Sequence, residues 1–152
     1  MSTKFVYVTY IRSTPEKLWD ALTKPEFTKL YWYGMRQDCD WKAGSPWKLI
    51  FADDNVADTG KVEEIDRPRR LVLSWRNEFR PELKAEGYSR ATFELEPDKD
   101  TVKLTITHEM DRDNSKTIEA VSNGWPLVLS SLKSLLETGS ALPGSDRRRT
   151  KA

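Results

Sequence analysis

The segment from Ser115 to Gly139 constrains this chain more than any other. Ile118, Val121, Trp125, Val128, Leu129, Leu132, Leu135 and Leu136 recur there at helical spacing and make one continuous apolar face. A helix of that length spans roughly 30 Å, the width of a small domain. It needs a large partner surface. The sequence before it reads mostly as short strands, so the partner must be a curved sheet. Such a helix either fills the concavity of the sheet or leaves a pocket. Gly124-Trp125-Pro126 falls mid-segment. Proline removes a backbone donor and glycine weakens helix, so a kink or a fresh helix start is expected there. Trp125 would then point into the concavity beside His108.

The strands come in a readable order. Phe5 to Ile11 (FVYVTYI) is β-rich. It stops at Ser13-Thr14-Pro15-Glu16, where either a Ser13–Glu16 capping box or a Thr14 cap with Pro15 at the first helical position opens a helix. Leu18, Trp19 and Leu22 form its apolar stripe, and Lys24-Pro25 ends it. A second short helix is expected over 25–30, with Phe27 and Leu30 inward. Strands then follow near 36–43, 46–52, 57–66, 69–78, 87–97 and 100–109. Turns at Gly44-Ser45-Pro46, Asp53-Asp54-Asn55, Asp66-Arg67-Pro68 and Pro97-Asp98-Lys99-Asp100 separate several of them. With no helices between these strands, a parallel sheet is excluded. The expected fold class is α+β: a bent antiparallel sheet of about seven strands, two short helices, and one long C-terminal helix over the concave face.

Strand alternation assigns the inner face. Val102, Leu104, Ile106 and His108 share one phase. Ser89, Ala91, Phe93 and Leu95 share another, as do Leu71, Leu73 and Trp75, and Trp47, Leu49 and Phe51. Phe5, Tyr7 and Ile11 belong to the inner side of the first strand. Six Trp, five Tyr and five Phe are present, and many fall where the elements converge. Two arrangements fit them: a tightly packed aromatic core, or an aromatic-lined cavity with a few polar groups. The long helix over a bent sheet favours the cavity.

Composition bounds the function. The 152 residues suit one domain, expected over 1–142, with a disordered basic tail over 143–152. Basic and acidic residues number 25 and 24. Arg147, Arg148, Arg149 and Lys151 sit in the tail with Asp146; without these, 21 basic face 23 acidic side chains. A body so balanced gives no electrostatic case for nucleic acid. Cys39 is the only cysteine and His108 the only histidine, so neither a disulfide nor a soft-ligand metal site is expected. No Walker-type or dinucleotide-type glycine pattern suggests a cofactor, and none is expected. No apolar run reaches the roughly 18–20 residues of a membrane span, and the start of the chain lacks a signal-type apolar region. The expected location is the cytoplasm.

The candidate ligand-binding residues are Trp32, Trp47, Trp75, Phe79, Tyr88, His108, Trp125 and Leu129. The expected partner is a small hydrophobic or aromatic molecule, admitted between the long helix and the loops near 53–57 and 79–87. An enzymatic alternative makes His108 the acid or base, with Glu78 as its carboxylate partner. Ser130-Ser131 lacks the glycine-flanked elbow of a hydrolase nucleophile. A third alternative is a protein-interaction role. The mixed-charge stretch Glu82-Leu83-Lys84-Ala85-Glu86 offers only solvent surface for it.

Four stretches together resemble one superfamily: Tyr7 to Leu22 (YVTYIRSTPEKLWDAL), Trp41 to Trp47 (WKAGSPW), Gly60 to Trp75 (GKVEEIDRPRRLVLSW) and Gly124 to Gly139 (GWPLVLSSLKSLLETG). Over residues 3–140 the chain resembles the START-like (SRPBCC) superfamily of Bet v-type and polyketide cyclase-like proteins. Within it, the chain is similar to the branch named for the activator of heat-shock protein 90 ATPase. The resemblance implies a helix-grip fold around a hydrophobic cavity. It implies no single activity, because members bind lipids, hormones or polyketides and some are enzymes. A chaperone-regulating role is among the implied possibilities. The eukaryotic activator carries a separate chaperone-binding domain that does not match here.

Overall fold

Thr14 has extended backbone angles and its hydroxyl accepts from the Lys17 N–H, while Pro15 takes the first helical position. The cap is therefore Thr14 and not the Ser13 capping box. The computed structural model describes residues 2–145. Its elements are β1 (Thr3–Ile11), α1 (Pro15–Thr23), α2 (Pro25–Tyr31), β2 (Arg36–Cys39), β3 (Pro46–Ile50), β4 (Val56–Asp66), β5 (Arg70–Asn77), α3 (Pro81–Lys84), β6 (Ser89–Asp98), β7 (Thr101–Met110) and α4 (Lys116–Thr138). The fold is α+β with one antiparallel seven-stranded sheet in the order β1-β7-β6-β5-β4-β3-β2. Its helices lie between β1 and β2, between β5 and β6, and after β7.

The first strand crosses the sheet to pair with the last, from Thr3↔Met110 to Ile11↔Val102. The predicted inner phases hold. Val102, Leu104, Ile106 and His108 on β7, Ala91, Phe93 and Leu95 on β6, and Leu71, Leu73 and Trp75 on β5 are all buried. The core lies between this face and α4, whose Trp125, Val128, Leu129 and Leu132 are buried against it. Gly60 is required by a close approach. A Cβ there would lie 1.7 Å from the Ser74 carbonyl oxygen, next to the register shift between Val62 and Glu64.

Four local expectations need correction. In α2 it is Thr28 and Tyr31 that are buried, while Leu30 is exposed. Tyr31 wins the inner side because its hydroxyl donates to the Ala21 carbonyl of α1, 2.8 Å away, so a large ring is buried with its polar end satisfied. β2 stops at Cys39 instead of running to 43, because Trp41 has a positive φ of 55° and cannot continue a strand. A short helix, α3, stands where only a loop is expected, started by Pro81. The long helix shows no fresh start at Gly124-Trp125-Pro126: α4 runs unbroken from its Ser115 cap to Gly139, whose φ of 87° ends it.

The chain stays packed beyond α4. Ser145 is buried, with its Oγ 2.7 Å from that of Ser131 on α4, and its carbonyl accepts from the Tyr33 N–H. The basic residues expected to form a tail lie outside the described residues.

Candidate functional site

Trp125 is the centre of the site. Its ring meets those of Trp32 and Trp75 at 5.6 Å each, and Phe93 edge-on at 5.6 Å. Trp47 packs at 4.3 Å behind Trp75. Each buried Trp removes about 150–250 Å² from water, on the order of 4–6 kcal/mol of transfer free energy before ordering costs. Trp125 therefore anchors the middle of α4 to the sheet.

A directional hydrogen-bond chain fixes that anchor. An indole N–H can only donate, so Trp125 Nε1 donates to His108 Nδ1 at 3.1 Å, and the ring proton of His108 is on Nε2. Nε2–H then donates to Ser89 Oγ at 2.7 Å, and Ser89 Oγ–H donates to the Trp75 carbonyl at 2.9 Å. His108 is fully buried, and burial lowers its pKa to about 3. It is a neutral strut between α4, β6 and β5, with both nitrogens occupied. A group so held has no proton to exchange with a substrate at neutral pH.

Glu78 does not reach His108. Asp58↔Asn77 and Thr59↔Arg76 are neighbouring register pairs of β4 and β5, so they face opposite sides of the sheet. Glu78 belongs with the second pair: its Oε2 accepts from Thr59 Oγ1 and Arg76 Nε, both at 2.6 Å, and its Oε1 lies 3.1 Å from Lys84. Burial pushes the Glu78 carboxyl up, but the Arg76, Thr59 and Lys84 hydrogen bonds outweigh that and hold it at about 2. Tyr88 is also on the outer side, half exposed beneath the Arg76 guanidinium at 4.7 Å.

Between α4 and the inner face lies a cavity of about 210 Å³. Trp32, Trp75, Trp125 and Phe79 line it. Met35 and Leu49 add to the sheet side, and Val121, Gly124 and Val128 form the helix side. Gly124 faces open space, where a Cβ would meet nothing within 4 Å. Of the predicted set, Trp32, Trp75, Phe79 and Trp125 meet here. Trp47, His108 and Leu129 form the packed layer behind, and Tyr88 is elsewhere. The opening lies between 79–83 and the first half of α4; 53–57 does not contribute to it.

Its polar residues include two that were not singled out from sequence. Asp58 is 7% exposed and lines the cavity. Burial raises its pKa to about 7; a hydrogen bond from Trp75 works against this, and the negative charge of Glu78 works with it. Asn77 stands opposite in register, and its Oδ1 accepts from the Phe79 and Arg80 N–H groups, turning the chain out of β5. Thr117, at the start of α4, carries a buried hydroxyl with no hydrogen-bond partner. One signal for Asp58 was readable: it shares the strand phase of Gly60 and the buried Val62. Among the described residues no cluster of three or more metal-binding side chains occurs, and no helix is long and apolar enough to cross a membrane.

The opening is tied across by Glu86. Its carboxylate accepts from Ser115 Oγ at 2.6 Å, Lys116 N at 2.8 Å and Thr117 N at 3.2 Å, capping the start of α4. Burial pushes the Glu86 pKa up, but these bonds hold it below the usual carboxylate range. Within 82–86, Glu82, Lys84 and Ala85 are solvent surface as expected, while Leu83 is buried against the cavity and Glu86 is half-buried.

An antiparallel sheet gripping one long C-terminal helix, with a cavity between them, defines the helix-grip class of α+β proteins. Comparison by sequence narrows this. The chain belongs to the family described as Activator of Hsp90 ATPase homolog 1-like protein, whose profile matches residues 12–137. Comparison with curated proteins finds no match. Among solved structures, protein MLL2253 from Mesorhizobium loti is similar, with 23% identity over 89% of this chain and 97% of that one, at a TM-score of 0.75. CalU16 from Micromonospora echinospora is 18% identical over 91% and 78%, at 0.72. PFC0360w from Plasmodium falciparum, described as an HSP90 activator, is 22% identical over 88% and 95%, at 0.71. At these identities the structural likeness establishes the fold alone.

Proposed function

We propose that this chain is a binding module for a small apolar or aromatic molecule held between α4 and the inner face of the sheet. The observation that carries this reading is the unfilled space of about 210 Å³ among Trp32, Trp75, Trp125 and Phe79. The space is a half-open cleft whose walls are mainly apolar and aromatic with a few polar groups, the make-up of a small-molecule site. The volume is below the roughly 300–1,000 Å³ of drug-sized sites, so the guest is compact. Three cavity tryptophans make intrinsic fluorescence the direct readout. Across flavonoids, fatty acids, polyketides and single-ring aromatics, the smallest aromatics should quench it. Gly124→Leu, which fills the open space on the helix side, should abolish the response. A panel in which no compound alters either fluorescence or amide NMR shifts would sink the reading.

A chaperone-regulating role is the second reading. The family description favours it, and the fold is shared with a protein described as an HSP90 activator. Retention of this chain by an immobilised heat-shock protein 90 at physiological salt is the observation it requires.

A further inference from the structure

We propose that the cavity selects a small aromatic amine, held as an ammonium ion between the tryptophan rings and the Asp58 carboxylate. This rests on the cavity being a ligand site and deepens that reading by naming the chemistry of the guest. Asp58 is a buried acid that accepts a hydrogen bond from Trp75 and has no ion-pair partner among the described residues. Nearby acids that do pair with Lys or Arg, such as Glu78 just past β5 and Glu64 on β4, do so on the opposite side of the sheet. A buried carboxylate is costly unless a positive charge meets it. In the free protein Asp58 relieves that cost by holding a proton and by accepting from Trp75; once ionised it meets no cation among the described residues, and an ammonium guest would supply one.

The walls suit that partner. Trp32, Trp75, Trp125 and Phe79 bring their rings to the same space. Aromatic rings attract a desolvated cation and stack on an aromatic body. Thr117 adds a buried hydroxyl to the lining, turned toward the Glu86 carboxylate. Arg80 is the one cationic side chain of the lining; it is exposed, and its Nε pairs with Glu82 at 2.9 Å. A carboxylate guest would face Asp58 and be refused, and a neutral alcohol would leave the charge unmet.

Three probes of like skeleton test this on the full chain: phenethylamine, phenethyl alcohol and 3-phenylpropionate, titrated by amide NMR at pH 8. The amine should bind at least tenfold more tightly than the alcohol, and the propionate should not bind. Asp58→Asn should remove the tenfold preference and leave the alcohol affinity within twofold. The unaltered chain gives a second reading without any substitution. From pH 8 to pH 6 amine affinity should fall about tenfold, as expected for a carboxyl titrating near 7 while the amine stays protonated. The other groups near the cavity keep their charge in that window. Glu78 sits at about 2, Glu86 is held low and His108 is locked neutral. Equal affinity for amine and alcohol, or an amine affinity that ignores pH, overturns the amine assignment and leaves the cavity reading intact. Failure of all three probes to shift any cavity amide at 10 mM (on the order of the weakest affinities worth calling binding) overturns both.

Discussion

His108 and Asp58 are buried titratable groups whose burial acts on stability in opposite directions with pH. His108 has a folded pKa of about 3 against an ordinary 6.5. Below pH 6.5 the unfolded chain takes up a proton the native state refuses, so stability falls as pH drops from 6.5 toward 3. Asp58 has a folded pKa of about 7 against 3.8. Its native state holds a proton that the unfolded chain has released, so its contribution is lost as pH rises from about 4 to 7. Between about pH 4 and 6.5 the two slopes oppose, each up to about 1.4 kcal/mol per pH unit. Asp58→Asn removes one of them. Urea titrations at pH 4, 5, 6 and 7 should show the variant losing stability with acid more steeply than the unaltered chain, by about 2–3 kcal/mol over the window. Parallel profiles would show that Asp58 is not protonated in the folded state.

α4 carries two residues that an ideal helix would avoid. Pro126 has no N–H for the carbonyl four residues back, and Gly124 costs about 0.5–1 kcal/mol relative to alanine. The helix continues through both because Trp125 between them is tied to His108 and packed on three rings. Tertiary packing here overrides propensity, as it does for most helices in proteins. Gly124 also opens onto the cavity, so stability and space trade against each other at one atom. Gly124→Ala should raise stability by about 0.5–1 kcal/mol in urea unfolding while narrowing the cavity and weakening any guest. A destabilised Gly124→Ala chain would mean that the space at this position is already filled.

Across the whole molecule, the parts legible in the sequence were those that repeat. Alternation in β5, β6 and β7 assigned the buried face, and helical spacing assigned α4, because periodicity survives small errors of boundary. The site was legible only in part. Four tryptophan and phenylalanine residues were found because aromatic side chains converge wherever elements converge. Asp58 was passed over as one acid in an acid-rich strand, since its burial depends on the pairing of β3, β4 and β5. Glu78 and Tyr88 were misplaced for another reason. Alternation carried on from Trp75 and back from Ser89 puts both on the outer face, where Arg76 gathers them; nearness in sequence to the inner aromatics is no guide to the side. Glu86 looked like solvent surface because its three hydrogen-bond donors lie about thirty positions further along the chain.

That one carboxylate joins two segments distant in sequence into a single opening unit. Leu83–Gly87 and the start of α4 at Ser115–Thr117 share the Glu86 bonds, so neither can fray far without releasing the other. Native-state hydrogen exchange should give the slow amides of both segments one common opening free energy. In Glu86→Gln both should exchange faster by a similar factor, on the order of ten if about 1.4 kcal/mol of charge-assisted bonding is lost. Two unrelated sets of rates would mean that the walls of the cavity breathe separately. A shared rate would make the doorway a hinge with one pin, whose loosening sets the pace at which solvent, or a guest, changes places with the interior.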